Sequence, residues 1–274
     1  MGVTERILIM ETINNIKIDQ LRLNIPYDEI CQVEGNNRLP KEVLVADKLL
    51  HLSWLFKSNT VSHGHNDYAS SYNFGSGEQG GNISVMWNES RKDMGILVDF
   101  TATGKAMYES LAELHGMPIN WKKIIEQLYE LMGHISRLDV ATDLINYGFS
   151  INEITQRLKN EYSFFLNTQG NKINSNRFKI IGNYDEAQTL YVGSRKSDAF
   201  LRIYNKKVEQ DRASGLYRNL AKSCDDWIRV EAEFKHRLAK ELGKYIATLT
   251  VDNIYPYLLG CVLERWSLVD KEEQ

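Results

Sequence analysis

The sequence predicts an α+β fold in which a largely antiparallel, twisted sheet packs its apolar face against helices. Strand-like runs follow one another through short polar connections, with no regular alternation of strand and helix. Several of these runs alternate apolar and ionisable side chains, so each strand has one apolar face. With 274 residues, 43% of them hydrophobic, the chain is long enough for one or two domains with a sizeable core.

The first half of the chain predicts a buried helix rich in Leu and Val, a glycine-rich loop, a β-hairpin and two amphipathic helices. Asn120 is a suitable N-cap for the second of these helices, and Gly133 is expected to end it. The predicted ranges in chain order are 39–57 for the first helix, 58–82 for the loop, 83–87 and 95–100 for the hairpin strands, and 105–115 and 120–133 for the amphipathic helices.

The second half predicts strands at 134–143, 227–235 and in three runs between 177 and 205. A capping box at Ser150 and Glu153 begins one helix, and another is expected at 236–246. The segments SRKD at 90–93 and SRKSD at 194–198 each precede a strand. Two related halves or chance similarity would explain this echo.

Composition and charge exclude several classes of protein. A net charge of -3 is inconsistent with a strongly basic, histone-like chain, although it does not exclude a local basic surface. Three dispersed cysteines without a CxxC motif indicate neither a disulfide framework nor a thiolate zinc site. No apolar run reaches the roughly 18 to 20 residues of a membrane-spanning helix, and the N-terminus does not resemble a signal peptide. We therefore expect a cytoplasmic protein without a membrane partner.

Three of the predicted strands carry ionisable side chains on one face, and these faces could be coplanar. Clustered carboxylates would favour a divalent cation, Mg²⁺ or Mn²⁺, and Tyr204 could then attack a phosphodiester beside Arg202. The alternative is an ordinary solvated sheet face, on which Glu–Arg cross-strand pairs involve Arg137 and Arg229 without catalysis. The candidate carboxylates are Asp139, Asp143, Glu231 and Glu233.

A basic segment surrounds the candidate tyrosine. Between Ser194 and Lys207 there are five basic residues and one acidic residue. Such a segment can contact several DNA phosphates, although a solvated hairpin and helix start would carry similar charge. The candidate DNA-binding residues are Arg195, Lys196, Lys206 and Lys207.

Three segments, in this order, resemble the replication initiation factor family of plasmid rolling-circle initiators. They are SRLDVATD at 136–143, SRKSDAFLRIYNKKVEQ at 194–210 and WIRVEAEFKHRL at 227–238. The resemblance covers residues 134–240. Relaxases of some integrative conjugative elements are related to the same family.

The resemblance implies a DNA nicking-closing enzyme with relaxase- or topoisomerase-like chemistry. Tyr204 would be the nucleophile that becomes joined to the 5′ phosphate, leaving a 3′-OH primer, and Arg202 would bind the scissile phosphate. Asp139, Asp143, Glu231 and Glu233 match the positions at which the family holds its metal, Mg²⁺ or Mn²⁺. Residues 131–274 would form the nicking region with a C-terminal DNA-contacting segment, and residues 1–130 would serve dimer or DNA contacts.

The resemblance also implies partners: the double-strand origin of a plasmid with a hairpin or cruciform nick site, a second copy of the chain, and a host superfamily-1 helicase. A relaxase of a conjugative element, a metal-dependent hydrolytic nuclease and a non-enzymatic origin-binding protein are the alternatives. His63 and His65, which flank Gly64 in a glycine-rich region, are a poor context for a metal site.

Overall fold

The computed structural model describes residues 16–35, 38–57, 59–75, 82–182, 187–212, 215 and 217–271. It confirms the α+β class, with antiparallel strand pairs and surrounding helices. The strands are β1 (Lys17–Ile25), β2 (Val61–His63), β3 (Ser70–Phe74), β4 (Ile83–Trp87), β5 (Ile96–Phe100), β6 (His134–Ile145), β7 (Ser163–Leu166), β8 (Phe178–Gly182), β9 (Ala187–Val192), β10 (Ala199–Asn205), β11 (Trp227–Lys235) and β12 (Ser267–Asp270). The helices are α1 (Lys41–Leu50), α2 (Leu52–Leu55), α3 (Ala102–Leu114), α4 (Trp121–Glu130), α5 (Ile151–Lys159), α6 (Lys206–Gln210), α7 (Arg218–Ser223), α8 (His236–Ile246) and α9 (Val251–Arg265).

The chain forms two compact units, each discontinuous in sequence. The first unit comprises 19–138 and 235–254, and the second comprises, within the described residues, 16–18, 139–234 and 255–271. The division of roles near residue 130 stays a prediction. None of the described helices has both the length and the apolar character needed to cross a membrane.

The first unit is built on the strand order β2-β3-β4-β5-β1. The predicted hairpin is confirmed: β4 and β5 pair antiparallel, with Val85 opposite Val98. Phe100 is fully buried and contacts the rings of Tyr108 and Trp121, which anchors α3 and α4 to the sheet. Asn120 caps α4 as predicted, by accepting a hydrogen bond from the Lys123 backbone N–H at 3.1 Å.

Two predictions in the first unit were wrong. The helix expected at 39–57 is broken at His51, which has a left-handed φ of 53°. There the Asp47 carboxylate accepts hydrogen bonds from the Ser53 backbone N–H and hydroxyl, both at 2.6 Å, and so begins a separate short helix. The loop expected at 58–82 contains β2 and β3, while residues 58 and 76–81 lie outside the described residues.

The second unit orders its strands β6-β11-β10-β9-β8, with a separate pair of β7 and β12. The predicted strands between 177 and 205 and at 227–235 are confirmed. Leu201, Ile203 and Phe234 are buried, because one face of β10 and of β11 is apolar. Helix α5 packs against β9 and β10, and Ser150 caps it by accepting from the Glu153 backbone N–H at 3.0 Å.

Candidate active site

The candidate site lies on the polar face shared by β10 and β11. Alternation along β10 puts Arg202 and Tyr204 on one face, opposite the buried Leu201 and Ile203. The antiparallel register then sets Arg202 opposite Glu231 and Tyr204 opposite Arg229. Paired residues in a sheet share a face, so these four side chains lie together.

The Tyr204 hydroxyl lies between the carboxylate of Glu231 and the ammonium group of Lys206. It donates to Glu231 Oε2 at 3.4 Å, and Lys206 Nζ donates to the hydroxyl oxygen at 3.4 Å. The Arg202 guanidinium lies 4.5 Å from the centroid of the Tyr204 ring, a cation–π contact. Tyr204 is only 8% exposed, so its orientation is fixed by these neighbours.

Arg202 and Glu231 form a cross-strand ion pair. Arg202 Nη2 donates to both carboxylate oxygens of Glu231, at 2.6 and 2.7 Å. The Arg202 side chain is 32% exposed, whereas that of Glu231 is 7% exposed. Burial opposes the charged form of Arg202, yet the charge and hydrogen bonds of Glu231 raise its pKa further above the ordinary value. The guanidinium is therefore a permanent cation that reaches the surface.

The electrostatic environment keeps the Tyr204 hydroxyl protonated. Burial raises the pKa of Tyr204, the Glu231 charge raises it further, and the charges of Arg229 and Arg202 only partly oppose this. A neutral phenol is a weak nucleophile, so it needs a group that accepts its proton. The carboxylate of Glu231 is in hydrogen-bonding contact for that role.

Asp143 forms a different arrangement on the neighbouring strand. It is fully buried, and one oxygen accepts from Arg229 Nε at 2.7 Å and Trp227 Nε1 at 2.8 Å. The other oxygen accepts from Arg229 Nη2 at 2.7 Å and Lys17 Nζ at 3.0 Å. Burial alone would raise the pKa of Asp143, but the hydrogen bonds and charge of Arg229, with help from Lys17 and Trp227, hold it below its ordinary value.

The other predicted carboxylates lie on the same two strands. Asp139 is 1% exposed on β6. It lies four residues before Asp143, so the two side chains point to the same face of the strand. Glu233 is half-buried on β11, opposite Phe200. The strands therefore carry all four carboxylates at the predicted positions, and arginine side chains donate to Asp143 and Glu231.

The predicted DNA-binding residues separate into two groups. Arg195 and Lys196 are exposed beyond β9. Lys206 is buried beside Tyr204 and also pairs with Glu209. Lys207 donates to the backbone carbonyls of Cys224 and Asp225, at 2.7 and 3.0 Å, and so ties α6 to the segment before β11.

The carboxylates do not form a metal centre in this arrangement. Asp143 accepts four N–H donors, and both oxygens of Glu231 accept from Arg202. Within the described ranges, no group of three or more His, Cys, Asp or Glu side chains is placed to hold an ion, and His63 and His65 belong to no such group. Metal binding by Asp139, Asp143, Glu231 and Glu233 stays a prediction that this geometry does not support.

Sequence reasoning missed the partners of Asp143 and the role of Lys206 next to the hydroxyl. Alternation had placed Arg229 on the correct face but could not show which acid it meets. Lys17 carries no signal in the sequence, because it lies more than one hundred residues from its partner. Lys206 was predicted to share a face with Arg202 and Tyr204 and to bind DNA, but its contact with the Tyr204 hydroxyl was not predicted.

The candidate site thus combines a buried phenol, a carboxylate and two cations, groups typical of the class of site that binds a phosphate-bearing substrate. The comparisons with known proteins agree with this class. The chain belongs to the replication initiation factor family, which matches residues 133–274 and thus includes every residue of the site except Lys17.

Two known proteins show what the chain is similar to. The chain is 26% identical over 198 residues to the putative DNA relaxase NicK of Bacillus subtilis (strain 168), covering 72% of this chain and 52% of that one. It therefore spans about half the length of that curated relative. The rolling circle replication initiator protein from Geobacillus stearothermophilus has a similar fold, with a TM-score of 0.63 and 21% identity, over 95% of this chain and 88% of the other.

Proposed function

We propose that this protein is a rolling-circle replication initiator, an origin-specific DNA nickase and strand transferase that uses Tyr204 as its nucleophile. The observation that carries the proposal is the Tyr204 hydroxyl between Glu231 and Lys206, with Arg202 over its ring. The family membership and the names of the two similar proteins support the same activity.

The proposed reaction follows from the neighbours of the hydroxyl. The Tyr204 oxygen attacks the scissile phosphorus while Glu231 accepts its proton. Arg202 and Lys206 offset the negative charge that develops on the phosphate oxygens. The bond between phosphorus and the 3′ oxygen breaks, and this oxygen takes a proton from solvent to become the 3′-OH primer. The phosphotyrosine retains the energy of the diester for rejoining.

Arg202 has a second part in this proposal. It neutralises Glu231 before DNA binds, and its exposed guanidinium matches the geometry of a phosphate. A phosphate that takes over part of this guanidinium would release Glu231 to accept the proton. Substrate binding would thereby prepare the base.

The test of the nucleophile is Tyr204→Phe, incubated with a supercoiled plasmid that carries the DNA flanking the gene. We expect neither nicked circles nor a covalent protein–DNA band, because the phenylalanine ring has no attacking oxygen. Tyr162→Phe, at a tyrosine 61% exposed on the second unit, is the matched control and should nick normally. Nicking by Tyr204→Phe at the wild-type rate would contradict the proposal.

Glu231→Gln and Asp139→Asn test the acidic residues. For Glu231→Gln we expect nicking to fall by about 10²- to 10⁴-fold, the usual contribution of a general base. Asp139→Asn should also abolish nicking if this carboxylate serves the reaction. Binding to duplex origin DNA, measured by gel shift, should persist in both. Normal nicking by both variants would show that the carboxylates are structural.

The Mg²⁺ or Mn²⁺ implied by the resemblance needs a direct measurement. Titration of Mn²⁺, followed by its electron paramagnetic resonance signal, reports bound ions without any nicking assay. One ion per chain that is lost in Glu231→Gln would support the carboxylates as ligands. No bound ion would contradict them. The homodimer and the host helicase stay proposals as well.

A conjugative relaxase is the second candidate, favoured by the name of the curated relative. It would use the same chemistry for DNA transfer. Mobilisation of a plasmid carrying the flanking DNA into a recipient cell would favour the relaxase, whereas autonomous replication of that plasmid would favour the initiator.

A further inference from the structure

A basic and aromatic pocket lies on the second unit, beside β8, β9 and β10. Its volume is about 910 Å³. Cations and aromatic rings dominate its lining, a combination typical of surfaces that bind single-stranded nucleic acid. The residues that matter here are Arg177, Lys179, Tyr191, Arg195, Lys196 and Phe200.

The rings in this pocket form a stacked platform. Tyr191 and Phe200 lie 5.3 Å apart with an interplanar angle of 22°. The Arg195 guanidinium lies 5.0 Å from the Tyr191 centroid and 5.8 Å from that of Phe200, and its Nη2 donates to the Tyr191 hydroxyl at 3.0 Å. Phe200 is 4% exposed and supports the platform from below, whereas Tyr191 is half-buried and Arg195 exposed.

The strand register connects this platform to the candidate active site. Lys179 pairs with Tyr191 and Tyr191 pairs with Arg202. Arg202 in turn pairs with Glu231, so one continuous row crosses four strands on the face that carries Tyr204. Neighbouring strands are about 4.8 Å apart and two residues of a strand span about 6.7 Å, so the backbones at Tyr191 and Tyr204 are about 8 Å apart.

We infer that this pocket binds an unpaired nucleotide of single-stranded DNA next to the scissile phosphate. The base would stack on the surface formed by Tyr191 and Arg195, and the backbone phosphates would contact Lys179, Lys196 and Arg177. The position relative to the scissile phosphate rests on the proposed function. The binding of single-stranded DNA does not.

Stacking selects single strands over duplex. In a duplex the faces of the bases are covered by their neighbours, so an aromatic platform gains a partner only from an unpaired base. Phosphate contacts alone would not distinguish the two forms, because both carry the same charged backbone. An unpaired segment, such as the loop of an extruded hairpin, is the form of DNA that fits this surface.

The test measures the binding of fluorescein-labelled oligothymidine of about 12 nucleotides, a length suited to a site of this size, by fluorescence anisotropy. We expect Tyr191→Leu to weaken binding about tenfold, the effect of losing one base–aromatic stack, while Tyr191→Phe stays within about twofold of wild type. Wild-type affinity in Tyr191→Leu would overturn the inference. If Tyr191→Leu fails to fold, Arg195→Ala at the exposed wall gives the same test, with the same expected loss.

Three controls make the result specific. A duplex of equal length should bind Tyr191→Leu as it binds the wild type, and an equal loss on duplex would overturn the role of stacking. Tyr162→Leu, at an exposed tyrosine outside the pocket, should bind normally. Lys196→Ala should reduce the slope of log affinity against log salt by about 0.7, whereas Tyr191→Leu should leave it unchanged.

The proposed function is tested separately by the nicking of Tyr204→Phe. Persistent nicking by Tyr204→Phe together with weak oligonucleotide binding by Tyr191→Leu would reject the nucleophile and keep the pocket. Loss of nicking in Tyr204→Phe with normal oligonucleotide binding in Tyr191→Leu would keep the nucleophile and reject the pocket.

Discussion

Two ion-pair clusters on neighbouring strands of the second unit differ in how much of their hydrogen-bonding capacity is used. The Asp143 cluster is closed: the carboxylate is fully buried and accepts four N–H donors. The Glu231 cluster is open: the carboxylate is nearly buried, but its partner Arg202 is 32% exposed and the Tyr204 hydroxyl lies beside it at 3.4 Å. Both clusters contain a carboxylate and an arginine. Their charges alone therefore do not show which cluster has a structural role and which has a chemical one.

The difference indicates which cluster can exchange partners. Asp143 cannot take a new ligand without giving up hydrogen bonds to the buried guanidinium of Arg229, which is costly. Arg202 can turn towards a phosphate because water already reaches it, and Glu231 then gains the freedom to accept a proton. Under the proposed function, the closed cluster therefore contributes to stability and the open cluster to the nicking reaction.

Breaking the closed cluster should have the largest effect on stability. We expect Asp143→Asn to lower the free energy of unfolding by about 3–5 kcal/mol, because Arg229 loses its buried counter-ion. Since the pKa of Asp143 is lowered, its stabilisation is present above the unfolded-state pKa of about 3.9 and is lost as the pH falls below it. Urea denaturation at pH 7 and at progressively lower pH measures both effects.

The matched control for Asp143→Asn is an exposed ion pair. Arg91 and Asp93 are 57% and 67% exposed, so Asp93→Asn should leave the free energy of unfolding nearly unchanged. Equal effects of the two substitutions would contradict the distinction between a closed cluster and an exposed pair.

Arg202→Lys should change activity more than stability. Lysine keeps the charge but loses the planar fork, so we expect single-turnover nicking to fall by about 10- to 100-fold. The free energy of unfolding should change by less than about 1 kcal/mol, because the arginine is partly solvated. Arg157→Lys, in an exposed pair with Asp270, is the control and should nick normally. A large loss of stability without loss of nicking would reverse the assignment of the open cluster.

High pH gives the smallest effect, and Tyr204→Phe isolates the share of Tyr204, since burial also raises the pKa of other tyrosines such as Tyr108 and Tyr129. Because burial raises the folded-state pKa of Tyr204, the unfolded chain loses this proton first, near pH 10. Stability is therefore unaffected by this group below pH 10 and should fall above it, by about 1.4 kcal/mol per pH unit. Above pH 10, Tyr204→Phe should make the fall in the free energy of unfolding with pH shallower by this contribution, about 1.4 kcal/mol per pH unit. An unchanged slope in the variant would show that the hydroxyl ionises as easily in the folded protein as in the unfolded chain.

Strands β6, β10 and β11 of the second unit could be predicted because apolar and ionisable side chains alternate along them. The range of β11 matched residue by residue, since apolar and ionisable side chains alternate from Ile228 to Lys235. The first unit gave weaker signals. Strand β3 lies in a region rich in Ser, Asn and Gly that reads as a loop, and the break at His51 depends on a local contact with Asp47. Strand β1 and helix α9 were not predicted at all.

The site was predicted in part for the same reason. Alternation of side chains along the strand placed Arg202 and Tyr204 on one face. The resemblance predicted that Tyr204 is the nucleophile. Alternation within one strand does not show which other strand pairs with it. The partners of Asp143 on β1 and β11 could therefore not be predicted. The pairing of Tyr191 with Arg202, which links the pocket to the active site, follows from a register between strands that no local pattern specifies.

The change from strand to helix directly after Tyr204 has one further consequence. Asn205 ends β10 and caps α6 through its side chain, which accepts from the Val208 backbone N–H at 3.1 Å. Lys206 is therefore the first residue of a five-residue helix, while the tyrosine beside it belongs to the sheet. Any partner that tilts this short helix would change the distance from the ammonium to the hydroxyl while leaving every strand pair intact. A small tilt of α6 would therefore change the reactivity of the Tyr204 phenol without unfolding any strand.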